Sequence, residues 1–95
     1  MSFSKLYEEL GGFDYEKYKI DEEDYGLGKP EDREFKVIRY EDGCYYEGEV
    51  LKGTTTLQGR GLLINDDYLT EGYWKKNKRH GSILTIGKNG FYQIQ

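Results

Sequence analysis

The chain has 95 residues, of which 36% are apolar, 34% charged and 16% aromatic, with a net charge of −4. That length allows one domain with a small core, since so short a chain buries only about 60–65% of its extended surface, and its ring content excludes a simply disordered polymer. The acidic balance argues against nucleic acid as a main partner, the lone Cys44 excludes an internal disulfide framework, and no apolar run approaches the roughly 18 residues of a membrane span.

The opening MSFSKLYEEL has neither the basic nor the apolar region of a signal peptide, and its acids argue against a mitochondrial presequence. The expectation is a protein of a reducing, intracellular, cytoplasmic setting. Ser2 or Ser4 is placed to cap a short helix over about residues 3–10, with Gly11-Gly12 as its stop. Phe3, Leu6, Tyr7 and Leu10 then share one helical face. Beyond it, Phe13, Tyr15, Tyr18, Ile20, Tyr25 and Leu27 are threaded among charges without a period, which predicts an extended arm. Residues 1–34 hold 11 acids against 5 bases, whereas residues 35–95 hold 7 against 9. An acidic arm (1–34) thus precedes a faintly basic body (35–95). Two outcomes stay open for it. The arm folds back and caps its own sheet, or it docks on another protein through Phe13, Tyr15, Tyr18 and Tyr25.

From residue 35 onward, short runs rich in Tyr, Ile, Val, Leu and Thr alternate with Gly, Asn and Asp turns. This pattern predicts strands over 35–40, 44–51, 59–65, 68–75, 81–87 and 90–95. Asp42-Gly43 and Asn89-Gly90 suit two-residue turns, and Asn65-Asp66-Asp67 should turn by the same means. Alternation places Cys44, Tyr46, Gly48 and Val50 on one face, matched by Tyr68, Thr70, Gly72 and Trp74 in the next hairpin. A glycine in that row lets a neighbouring ring lie across the backbone.

The body repeats itself. EDGCYYEGEV (41–50) aligns with NDDYLTEGYW (65–74), and GRGLLI (59–64) with GSILTI (81–86). A third copy begins at Lys88-Asn89-Gly90, and residues 35–40 read as the second half of an earlier one; the unit is about 23–24 residues long. These residues resemble the MORN (membrane occupation and recognition nexus) repeat, YxGxWxxGxxxGxG, over about residues 35–95. The repeat-defining positions are Tyr46, Gly48, Gly59 and Gly61 in one copy and Gly72, Trp74 and Gly81 in the next. Val50 stands for the tryptophan in the first copy, while Thr70 and Ile83 replace the tyrosine and last glycine in the second. The resemblance implies an all-β, single-layer antiparallel meander that adds one hairpin per repeat. It also implies a scaffold role, often in a cilium, axoneme or membrane–cytoskeleton junction. Both sheet edges would stay open, and an open edge invites another strand.

For chemistry the sequence offers little. His80 is read as a turn residue in the Lys/Arg-rich hairpin loop 75–80, Cys44 as a small buried hydrophobe, and Asp21-Glu22-Glu23-Asp24 as a solvated charge run rather than a calcium loop. No catalytic, metal or cofactor site and no small-molecule substrate is expected. The expected role is a structural or adaptor subunit that meets other proteins through Tyr46, Val50, Tyr68, Tyr73, Trp74 and the arm. A second reading has Lys75, Lys76, Lys78, Arg79 and His80 touching anionic lipid headgroups. A third makes the chain an accessory subunit of a mitochondrial or other enzyme complex.

Overall fold

A computed structural model describes residues 3–22, 24–90 and 92–94. Six strands pair in chain order into one open antiparallel sheet: β1 (Arg33–Arg39), β2 (Tyr45–Leu51), β3 (Leu57–Ile64), β4 (Tyr68–Lys75), β5 (Lys78–Gly87) and β6 (Tyr92–Ile94). Each lies within a few residues of its expected place. A helix, α1 (Phe3–Leu10), and a 3-10 turn (Pro30–Asp32) precede the sheet. The capping expected of Ser2 and the strand position of Phe91 lie outside the described residues. So do the side chains of Phe3, Ser4 and Leu6. Among the described residues no helix is long and apolar enough to cross a membrane.

The turns follow from their residues, with two departures from expectation. Gly43 and Gly90 take positive φ, at 91° and 88°; the Gly90 amide donates to the Gly87 carbonyl at 3.0 Å, and Gly43 closes a three-residue connection. Tyr40 bonds Cys44 across Glu41-Asp42-Gly43, and the Gly43 amide donates back to the Tyr40 carbonyl. A type I turn closed by a left-handed glycine satisfies the same Asp-Gly preference as the two-residue turn expected there. The second departure is larger. Lys75 pairs with Lys78, so the expected basic loop is a two-residue turn at Lys76-Asn77, whose φ values are 50° and 69°. Asn77 fixes it by accepting from the Leu57 amide at 2.8 Å and donating its own amide to the Leu57 carbonyl at 3.1 Å. His80 is therefore a strand residue opposite Tyr73, not a loop residue.

The internal repeat is visible in the pairing. The register shifts between Gly48 and Val50 in one unit and between Gly72 and Tyr73 in the next, the same point of both hairpins. Such bulges sharpen the local twist. On this curled face Tyr46, Val50, Leu57, Trp74 and Ile83 form one core cluster, edged by Ile38 and Leu63. The Tyr46 ring lies across Gly61 so closely that a Cβ there would sit 2.6 Å from its Cε1. Its hydroxyl donates to the Glu49 carbonyl at 2.7 Å, and Trp74 Nε1 donates to the Gly61 carbonyl at 2.9 Å. The tyrosine, glycine and tryptophan therefore brace one another, though the glycine that the ring crosses is Gly61 of the neighbouring strand rather than Gly48 or Gly72 of the row read from the alternation.

The opposite face carries the second cluster: Leu69, Tyr73, Leu84 and Ile86 from the sheet, with Phe13 and Leu27 from the arm. Of the two outcomes left open for the arm, the structure shows the first. Instead of running extended, the arm crosses the sheet as a series of tight turns. Asp14 accepts the amides of Glu16 and Lys17, Asp21 accepts that of Asp24, and Gly26 and Gly28 take positive φ. Short aspartate side chains that bond the backbone two or three residues ahead build such turns. The chain is thus a slab of 37 × 33 × 18 Å, one sheet with its own arm laid over one side.

Candidate functional site

The arm is held by charge as well as by rings. Arg33, at the start of β1, is 6% exposed; its guanidinium donates to Glu22 of the arm at 2.6 Å and to Glu49 of β2 at 3.2 Å. Arg60 extends the pair network, 3.6 Å from Glu22, and lies over the Tyr15 ring with its guanidinium carbon 4.7 Å from the centroid. Glu71 of β4 accepts the Phe13 amide at 2.8 Å. A guanidinium is suited to such a junction because its planar fork serves two carboxylates at once.

Beside this clamp a groove of about 470 Å³ opens over β1–β3, walled by Tyr7, Tyr15, Glu47, Arg60 and Glu71 and bounded on the β1 side by Phe35. Its carboxylates already have partners. Glu47 accepts from the Tyr45 hydroxyl, Glu49 from Arg33 and the Arg60 amide, and Glu71 from the arm. Burial, with Glu71 adding to it, pushes the Tyr7 phenol up to about 12, and the Tyr15 phenol also upward. Burial raises Tyr46 on the other face as well. These phenols stay neutral hydrogen-bonding groups. The groove's chemistry fits holding the arm in place.

A pH dependence follows. In the unfolded chain a tyrosine ionises near 10, so as pH climbs from about 10 towards 12 the unfolded state loses phenol protons that the native state keeps. Stability contributed by Tyr7, Tyr15 and Tyr46 is fully present below 10 and falls through that window. In tyrosinate absorbance a late, cooperative phase should coincide with loss of the near-ultraviolet dichroism. One smooth titration centred near 10 with native dichroism intact would contradict this.

The side chains expected to meet partners fall into two groups. Tyr46, Val50, Tyr73, Trp74 and Phe13 are interior, with Tyr73 sealed under Phe13 and Tyr15. Tyr15 and Tyr18 are half-buried in the arm layer, while Tyr25 and Tyr68 are exposed. Tyr25 stands edge-on to His80 at 5.3 Å. The basic residues do not converge on one surface. Lys75 lies against the arm at Gly26 and His80 is on the same side, whereas Arg79 pairs with Trp74 on the opposite face.

The sequence led to the expectation of open, partner-binding edges but not to the side chains that stand out on them. Phe35 is 66% and Val37 47% exposed, side by side on the arm face of β1, an edge strand that the arm leaves uncovered. Tyr92 and Ile94 are similarly exposed on β6, the other edge. A signal existed: Phe35 and Val37 alternate with charged residues in a strand that has no predicted neighbour on its N-terminal side. No protein-family model, no curated protein and no solved structure matches the chain.

Proposed function

We propose that the chain is a non-catalytic structural or adaptor subunit of a larger intracellular assembly, and that it docks on protein through the open β1 edge. The observation that carries this reading is the exposure of Phe35 and Val37 beside an unpaired strand edge. Natural sheets blunt such edges with inward charges, prolines or a covering segment, since a bare apolar edge recruits another strand. Here the arm is available as a cover yet is spread over the face instead. The resemblance of residues 35–95 to MORN repeats supports the same reading, because scaffolding is what that likeness implies.

The test is native size in a gentle extract. The wild-type chain should migrate in an assembly well above its own 11.2 kDa. The double variant Phe35→Lys/Val37→Lys should fall out of that assembly while keeping the wild-type melting temperature, since neither side chain belongs to either core cluster and the new ammonium groups would stand opposite Glu49 and Glu47 of β2. A wild-type chain that is free in the extract, or a double variant that stays assembled, would overturn the proposal.

A further inference from the structure

The β1 edge is its own complement. In the β1–β2 ladder the Lys52 amide donates to the Asp32 carbonyl and the Tyr40 amide to the Cys44 carbonyl. Antiparallel bonding alternates, so Glu34, Lys36 and Ile38 direct their backbone groups to β2, while Phe35, Val37 and Arg39 direct theirs to the open edge. The Arg33 amide is held by the Pro30 carbonyl, which leaves the Arg33 carbonyl outward.

We propose that β1 pairs antiparallel with β1 of a second copy, about a twofold axis at Phe35, to make one continuous sheet across a dimer. This rests on the reading of β1 as a docking edge and names its occupant. In that register each Phe35 amide meets the other copy's Phe35 carbonyl, and each Val37 amide meets the other copy's Arg33 carbonyl. Phe35 faces Phe35 on the arm side, which removes from water the most exposed large apolar side chain among the described residues. On the other side Glu34 of each copy stands opposite Lys36 of its mate. Both of these charged side chains now hold only exposed backbone groups of the β2–β3 loop, Glu34 the Gly53 amide and Lys36 the Thr54 carbonyl.

Charge selects this register over its neighbours. A twofold axis at Lys36 would set Lys36 against itself and Arg33 against Arg39, and like charges directly opposite are destabilising. An axis at Val37 would leave Glu34 and Lys36 without opposite charges. A closed twofold contact between identical patches is also the commonest form of homo-oligomer.

Sedimentation equilibrium on the purified full chain tests this. Wild type should reach twice its 11.2 kDa mass as concentration rises. Glu34→Lys alone sets two lysines opposite each other, and Lys36→Glu alone sets two glutamates. Each should weaken dimerisation by about tenfold or more. Mixing the two variants in equal amounts should restore wild-type association, because each then supplies the charge the other lacks. A fold defect would not be rescued by mixing. Wild type that stays monomeric to millimolar concentration, a dimer indifferent to both variants, or a mixture without rescue would each overturn the pairing. If wild type is monomeric and Phe35→Lys/Val37→Lys still breaks the native assembly, self-pairing falls and the docking reading stands. If that double variant leaves the assembly intact, the docking reading itself falls.

Discussion

Trp74→Ala is expected to lower the unfolding free energy by about 4 kcal/mol, the range for deleting a buried aromatic whose site cannot collapse. The ring is 3% exposed and stands edge-on to Tyr46 at a centroid distance of 6.0 Å. Its loss also leaves the Gly61 carbonyl without the indole donor, and Gly61 is the residue that the Tyr46 ring crosses. A domain of this size is stabilised by only about 5–10 kcal/mol, so the variant should keep only about 1–6 kcal/mol of stability. Trp74→Phe, which keeps most of the packing and loses the hydrogen bond, should cost about 1–2 kcal/mol. Urea denaturation of both variants checks the order. A wild-type midpoint for Trp74→Ala would mean that the ring is not part of this core.

The second large effect lies at the clamp between arm and sheet. Arg33→Ala should cost about 3 kcal/mol, because it leaves Glu22 and Glu49 facing each other without the cation between them. Those carboxylates retain some contact with water, 23% and 29% exposed, which keeps the cost at the low end for broken buried pairs. Arg33→Lys keeps the charge but not the fork, and should recover less than half of the loss. The local readout is trypsin cleavage at Lys17 and Lys19, both exposed in the arm. Cleavage there should speed up in Arg33→Ala before the sheet unfolds. An arm equally resistant in wild type and variant would show that rings alone hold it.

The sheet was legible because its determinants are local. Strand alternation and Gly, Asn and Asp turns recur at one spacing, and each hairpin closes on its nearest neighbour, so Tyr46, Gly48, Val50, Gly72 and Trp74 could be put on one face from the sequence. The short helix was legible for the same reason. What was hidden depends on distance or on backbone strain. Phe13 meets Glu71 across 58 residues, and no periodicity between residues 13 and 27 announces it. Glu22 read as part of a solvated charge run, yet its partner Arg33 is buried. The turn at Lys76-Asn77 needs two positive φ values, which lysine adopts reluctantly, so a longer loop was the natural expectation. Tyr73 and Trp74 are adjacent and both apolar, and only the arm explains why both are buried.

The groove, the clamp and the rings of Tyr7, Tyr15 and Tyr73 serve the arm, and docking is assigned to the β1 edge, where Phe35 and Val37 stand exposed beside unpaired backbone. Residue-resolved amide exchange, comparing the chain diluted until it is monomeric with the protein in its native assembly, tests that assignment most directly. The account predicts new protection at the amides of Phe35 and Val37, which face the open edge. Lys36 and Ile38, already bonded to β2, should change little. Protection that appears only at β6 or around Tyr68, with Phe35 and Val37 exchanging as before, would contradict it.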